Sequence, residues 1–410
     1  MVGLSVMSLM TGCRNVVPDG SQIVISVGDE KASLATLQTM IRYQQAVSYD
    51  YYMQMAQAFG QDMSGKRADF WEPVLSEDAK QTELENQKKS GVLMPDMNVK
   101  SYGDQMIVNT AASLAGYMAV AEQADEYDVS LSKEETTHIK DTAKTFMKNS
   151  DKEVLENNDI TEQSVVDYLT YYTLQDKVYG VYAAQSEITV SEEEAKSMTI
   201  SYLSFYVDES NPDCNTEEKV KKQAEDYLKS LNGVDFTQLD FKMAAAEYGN
   251  AQGGTESIAL NDKEEAYAFT KEEVDTIASL NAGALYGEVV KGKNQNYYVI
   301  RMDRPYDEEA SAKYQAELRK SRVDTAFAKD LAKWMKNEKT TYDIDVLQQI
   351  DVNDNVIYTG IKAEDTQKDE VSQDIMAGED IASEQESNQT EQQTEKSSEK
   401  SEEKEADTNK

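Results

Sequence analysis

Histidine and cysteine are nearly absent from this sequence. It holds one histidine, His138, and two cysteines, Cys13 and Cys214, in 410 residues. No cluster of Cys and His exists, which excludes a zinc site of the usual ligand set. A Ser-His-Asp or Cys-His engine would have to use His138. That residue lies in SKEETTHIK, the first turns of a charged helix, and reads as a surface residue. Cations are also scarce, with 41 Lys and Arg against 77 Asp and Glu and a net charge of -36. Such a balance excludes nucleic acid as a partner, because phosphates need basic patches. It also disfavours an anionic membrane or wall surface unless a specific anchor holds the chain there.

What is present admits two or three domains. Apolar residues make up 39% and charged residues 29%, so most of the chain can fold and part of it cannot. From residue 363 onward there is no aromatic side chain, and 16 acidic face 5 basic residues, a net of -11. This Ser-, Glu-, Gln- and Lys-rich stretch cannot bury a core and is expected to be disordered over 363–410. The remainder still carries -25.

Residues 22–30, QIVISVGDE, read as a short strand and turn. A helical region of about 160 residues follows. Ile107, Leu114, Met118, Ala121 and Ala124 recur at helical spacing, as do Val165, Leu169, Tyr172, Tyr179 and Tyr182. Ser132 with Glu135, and Ser191 with Glu194, are capping boxes that open helices.

From Thr199 the pattern changes. TISYLSFYV is strand-like, and EEKVKKQAEDYLKSLNGVDF is an amphipathic helix ending at Asn232-Gly233. KMAAAEYG reads as a short helix, Gly253-Gly254 as a turn, and TKEEVDTIASLNAG as a further helix. LYGEVVKG and QNYYVIRMDRP are strands. In the last, Tyr298, Ile300 and Met302 face one side and Tyr297, Val299 and Arg301 the other. The resulting order is β-α-α-α-β-β, a unit of roughly 110 residues. After Pro305 a long helix returns, with Tyr314, Leu318, Val323, Phe327, Leu331 and Trp334 as its apolar stripe. It must pack on something, most simply the N-terminal helices, and YDIDVLQQI follows as a strand-like piece.

The first residues, MVGLSVMSLMTGC, are too short an apolar run to span a bilayer, which takes about 20. The length suits the apolar region of a signal peptide. Met10-Thr11-Gly12-Cys13 resembles a bacterial lipobox, in which the cysteine thiol receives diacylglycerol. Met10 stands where leucine is usual, and no Lys or Arg precedes the run, which fits a shortened reading frame. The plainer reading leaves Cys13 a small core residue. A lipidated Cys13 places the protein outside the cytoplasmic membrane, held by its lipid, and leaves Cys214 without a disulfide partner.

The 198–305 unit resembles a parvulin-type peptidyl-prolyl isomerase domain. ISYLSF stands at the family's first strand, NGVDFTQL at the end of its first long helix, and AAEYGNAQGG at the segment leading into Gly-Gly. ASLNAGALYGEVV and NYYVIRM match the segment and strand that close it. With the lipobox, the helical residues 13–197 and the returning segment 306–350, the chain resembles PrsA/SurA-type foldases. The fold so implied is α+β: a mostly helical chaperone lobe, N-terminal helices plus the returning helix, with an inserted parvulin-like domain and an acidic tail. The resemblance puts Tyr202 and Tyr298 at the two catalytic histidines, Glu247 at the acidic position and Phe269 in the proline pocket. One residue is inserted before the Ala-Ala-Glu segment, and the stretch from Gly254 to Leu280 is longer than usual.

Isomerisation needs no nucleophile and no cofactor. Its barrier of about 20 kcal/mol comes from amide resonance, and a polar group over an apolar pocket lowers it. Tyrosine can donate a hydrogen bond, though it stays neutral at ordinary pH. Tyr202 and Tyr298 can bond across the sheet with Glu247 supplying charge, or simply pack as strand residues. The 24 tyrosines and 17 methionines against 8 phenylalanines, dense at Tyr43, Tyr49, Tyr51, Tyr52, Met53 and Met55, suit adaptable binding of unfolded chains or a helical core. The resemblance implies an extracytoplasmic folding factor that binds newly exported polypeptides, with isomerase activity weak or lost. An active isomerase using Tyr202, Glu247 and Tyr298 is the first alternative. A surface lipoprotein that serves as an interaction module is the second. The two alternating α/β lobes of a solute-binding protein are not in the pattern.

Overall fold

The computed structural model describes residues 19–58, 71, 73–234, 236, 239–261 and 268–352. Cys13 and the 363–410 tail therefore lie outside the described residues. The elements in chain order begin with β1 (Ile23–Val27), β2 (Glu30–Ser33), α1 (Leu34–Ala58), α2 (Glu77–Ser90) and α3 (Tyr102–Ala121). Then come α4 (Lys133–Asn149), α5 (Lys152–Asn157), α6 (Glu162–Gln185), α7 (Glu192–Ala195), β3 (Ser197–Phe205), α8 (Glu217–Ser230) and α9 (Phe241–Ala245). The last are β4 (Ala251–Ala259), α10 (Lys271–Ala278), β5 (Val290–Lys291), β6 (Tyr297–Arg304), α11 (Glu308–Asn337), β7 (Thr341–Tyr342) and α12 (Ile344–Leu347). The chain forms two compact units. One combines 1–184 with 328–410, and the other is 185–327.

In the first unit the helices start where polar side chains can accept the orphan amides of the first turn. Ser101 with Asp104 and Ser132 with Glu135 form reciprocal capping boxes on α3 and α4. The helical spacing of apolar residues then sets the buried face. Ile107, Leu114 and Met118 of α3 are buried with Leu37, Met40 and Ile41 of α1. Val165 and Leu169 of α6 join Ile139, Ala143 and Phe146 of α4 in a second cluster. The chain's C-terminal part completes the first cluster: Met335 is fully buried there, and Leu331 and Trp334 pack against it. β7 pairs antiparallel with β1, giving a three-stranded sheet in the order β2-β1-β7. The returning helix thus supplies core to the N-terminal helices, and the α+β class with an inserted sheet unit holds.

Arg42 of α1 is buried in this unit. It donates to the Asn158 side chain and to the Asp351 carbonyl, while Gln45 donates to the Val352 carbonyl. Of the tyrosine- and methionine-dense segment, Tyr43 packs against the α4–α6 cluster. The side chains of Tyr49, Tyr51, Tyr52, Met53 and Met55 lie outside the described part of α1.

The second unit is built on a four-stranded antiparallel sheet, order β4-β3-β6-β5. Both faces are covered, so β3 is buried along almost its whole length and β6 over most of its own, the serines and threonine of β3 included. Even-numbered residues face one side, where Met198, Ile200, Tyr298, Ile300 and Met302 meet Phe269 and Val274 and Ile277 of α10. Odd-numbered residues face the other, where Leu203, Phe205, Tyr297 and Val299 meet α8 and α9. The alternation expected for NYYVIRM is the one found. Gln315, Arg319 and Arg322 of α11 donate to the carbonyls of Val190, Ile188 and Thr189, fixing the segment that leads into α7.

One expectation is corrected. Gly253 and Gly254 do not form a turn; they sit inside β4, paired with Leu203 and Tyr202. The observed order is β-α-α-β-α-β-β. Glycine is required there by packing on both faces. A Cβ on Gly253 would come within 2.0 Å of the Phe241 carbonyl oxygen of α9, and one on Gly254 within 2.7 Å of the Tyr202 ring.

Candidate functional site

β3 and β6 carry Tyr202 and Tyr298 to the even face. Tyr202 pairs with Ile300, and Tyr298 with Ser204, so the two tyrosines are diagonal neighbours on adjacent strands. Their rings meet edge to face, with centroids 5.5 Å apart and planes at 66°. Phe269 continues the row, 5.0 Å from Tyr298 at 72°. This geometry suits aromatic quadrupoles and adds about 0.5–1.5 kcal/mol per pair beyond area burial. Phe269 is 1% exposed and Tyr298 5%, while Tyr202 is only partly buried.

The hydroxyl groups do not bond to one another. Tyr298 accepts from the Asn294 side-chain amide at 2.7 Å. Gly292 leaves room for the ring, since a Cβ there would lie 2.7 Å from Tyr298 Cε2. Among the described residues the Tyr202 hydroxyl has no hydrogen-bond partner. Burial pushes its pKa up, and the neighbouring Glu256 and Tyr298 push it further the same way.

Glu247 does not join them. It is exposed in the turn after α9, a segment whose Phe241, Ala244, Ala245 and Tyr248 pack on the odd face. Its charge acts on Tyr227 and Tyr248 of that face, whose hydroxyls are raised first by burial. The carboxyl beside Tyr202 is Glu256. It sits on β4 opposite Ile200, at an even position between Gly254 and the buried Ile258. Burial raises its pKa above the ordinary carboxylate value. Among the described residues Glu256 has neither a hydrogen-bond nor an ion-pair partner. Reading Gly253-Gly254 as a turn hides this residue. Reading AQGGTESIA as a strand with period two exposes it, because 254, 256 and 258 then share the face of Tyr202.

The site is therefore a neutral aromatic floor with one desolvated carboxyl at its β4 side. It can offer a hydroxyl and a carboxyl to a polar group, over rings that accept apolar contact. Among the described residues no three His, Cys, Asp or Glu side chains converge as metal ligands. No described helix is long and apolar enough to cross a membrane.

No protein-family model and no curated protein matches the chain. Among solved structures it is similar to the foldase protein PrsA from Streptococcus pneumoniae, at 14% identity and a TM-score of 0.28 over 69% of this chain and 97% of that one. The foldase protein PrsA from Lactococcus lactis is 13% identical, with a TM-score of 0.29 over 65% and 91% of the two chains. A match to the SurA-like chaperones PEB4 and Cj1289 of Campylobacter jejuni has 12% identity and a TM-score of 0.17 over 78% and 98%. At these scores the superposition is loose. The likeness among solved structures is to PrsA foldases and SurA-like chaperones.

Proposed function

We propose that the chain is an extracytoplasmic folding factor that binds unfolded polypeptides and has weak or no prolyl isomerase activity. One observation carries the reading: a sheet unit with the parvulin-like segments in register holds a stacked tyrosine pair where the resemblance calls for two histidines. A T-shaped tyrosine pair packs as core. Its one bonded hydroxyl is engaged by Asn294, and it lacks the titratable pair that a histidine floor provides. What remains useful to a folding factor is the apolar, partly open face and the high negative charge. Charge of one sign deters aggregation and favours cationic unfolded clients. Lipidation at Cys13 would hold the protein at the outer face of the cytoplasmic membrane. Mass spectrometry of the N-terminal peptide, with or without a diacylglyceryl group, decides that part.

The test is suppression of aggregation of a chemically unfolded client by the purified chain. Suppression that rises with added protein is expected, and none at molar excess removes the reading. The isomerase alternative has one observation in its favour, the Tyr202 hydroxyl free of described partners beside Glu256. A protease-coupled assay on a proline peptide separates the two. Activity that falls with Tyr202→Phe or Glu256→Gln would establish the isomerase and displace the chaperone-only reading.

A further inference from the structure

β4 is an edge strand of nine residues, AQGGTESIA, with no Lys, Arg or Pro. Natural edges are normally blunted by such residues, since a bare row of N–H and C=O groups is a template for another strand. The ladder phase can be read from its ends. Leu260 donates to the Lys196 carbonyl and Tyr206 to that of Asn250, so even positions of β4 bond to β3. Gly253, Thr255 and Ser257 then direct their N–H and C=O groups outward. Among the described residues these groups have no backbone partner.

The side chains along this edge are equally specific. Glu256 is the strand's only charge, half-buried and unpaired among the described residues. On its own face it is flanked by Gly254, over which the Tyr202 ring lies, and by buried Ile258. A fifth strand added at this edge would place alternate residues opposite 254, 256 and 258, about 5 Å away. Opposite Gly254, which has no side chain of its own, a bulky apolar group would pack against the Tyr202 ring that overlies the glycine. Opposite Glu256 a cation would relieve a carboxylate stripped of water. Opposite Ile258 an apolar group fits.

We propose that the outer edge of β4 takes up an extended client segment as an additional strand and selects the pattern bulky-x-basic-x-apolar, with the basic side chain on Glu256. The inference deepens the folding-factor reading and rests on it, naming the segment of client that is held. Strand addition supplies affinity through the backbone and specificity through alternate side chains. It therefore suits a binder of many unfolded chains.

The experiment titrates the full chain with a fluorescent seven-residue peptide of that pattern. Peptides with Glu in place of the central Lys, or with N-methyl groups on the strand's pairing edge, serve as comparisons. The Lys peptide is expected to bind about tenfold tighter than the Glu peptide, with the order reversed for Glu256→Lys. N-methylation should cost about tenfold or more. Thr255→Pro removes one outward N–H and leaves the backbone bonds to β3 in place, losing toward β3 only the hydroxyl contact with Ser201; it should weaken every peptide about tenfold, with an unchanged circular dichroism spectrum. Equal binding of Lys and Glu peptides, or indifference to N-methylation, overturns the proposal while aggregation suppression is retained. Loss of suppression as well overturns the folding-factor reading with it.

Discussion

Replacing Gly253 by alanine tests the packing that makes the second unit. The added Cβ would lie 2.0 Å from the Phe241 carbonyl oxygen, 2.2 Å from its carbon and 2.6 Å from the Lys242 nitrogen. Ordinary contact begins near 3.4 Å, so α9 would have to retreat by roughly 1.4 Å. These are backbone atoms and no rotamer change can relieve them. Overpacking a core usually costs 1–3 kcal/mol, and a clash without a soft partner belongs at the top of that range, about 3 kcal/mol. For a unit of this size about 2–4 °C is lost per kcal/mol, which gives a fall of roughly 10 °C.

Both tryptophans, Trp71 and Trp334, belong to the first unit, so the assay carries its own control. Thermal unfolding followed by far-UV ellipticity should gain an early phase in Gly253→Ala, while tryptophan emission stays with wild type. Gly254→Ala provides the contrast. Its Cβ meets the far end of the Tyr202 ring, which can swing aside, so about 1 kcal/mol is expected, chiefly the lost stacking on Tyr298. An ellipticity curve for Gly253→Ala within 2 °C of wild type would refute the close approach of α9 to β4, and with it the reason given for glycine in that strand.

Other outcomes follow from single side chains. Glu256 is raised by burial, so its ionisation costs stability above its ordinary pKa, 4.5, and nothing below, where both states are protonated. Glu256→Gln should therefore melt higher than wild type at pH 7.5 and equal it near pH 4; a lower melting point at pH 7.5 would count against an unpaired carboxyl. Glu135 is the opposite case, held down at about 2 chiefly by Lys177 and then by the Ser132 amide. Its contribution is present above 4.5 and lost as pH falls through about 2, and Glu135→Gln should cost about 1 kcal/mol at neutral pH by urea titration. Arg301 donates to the Phe236 and Leu239 carbonyls and to Asp303 while lying over the Phe241 ring. Lysine cannot reproduce that fork, so Arg301→Lys should cost about 2 kcal/mol in the ellipticity phase alone. An unchanged phase would mean that the loop after α8 does not depend on the guanidinium.

Much of this was legible in the sequence because the decisive signals are local. Ser132 with Glu135 and Ser191 with Glu194 do cap helices, since a capping box depends on four consecutive residues and little else. The alternation in NYYVIRM survives because both faces of that strand are covered and each side chain must go to one of them. Gly253-Gly254 failed for the converse reason. Its local signal is a turn, while the cause of both glycines is tertiary: a helix backbone on one side and a tyrosine ring on the other. The error carried into the site. Without β4 as a strand its face cannot be read, and Glu256 beside Tyr202 is not visible as a neighbour of the tyrosines.

The tyrosine floor sets what pH should do to any isomerase activity the chain retains. A histidine floor would titrate near 6.5. Here both floor residues are tyrosines, and burial drives the hydroxyl of Tyr202 further from ionisation. The chain's single histidine, His138, lies in α4 of the first unit. Beside Tyr202 lies the Glu256 carboxyl, whose pKa burial raises above the ordinary carboxylate value. A histidine-free floor has no limb of its own near 6.5, so any pH dependence of catalysis should trace to the Glu256 carboxyl. The measurement is the pH profile of kcat/KM for a proline peptide on wild type and on His138→Gln. Superimposable profiles are expected for the two, falling as Glu256 gains its proton, and Glu256→Gln should remove that fall. A limb near 6.5 that disappears with His138→Gln would place histidine chemistry in the reaction and undo the assignment of the tyrosine floor.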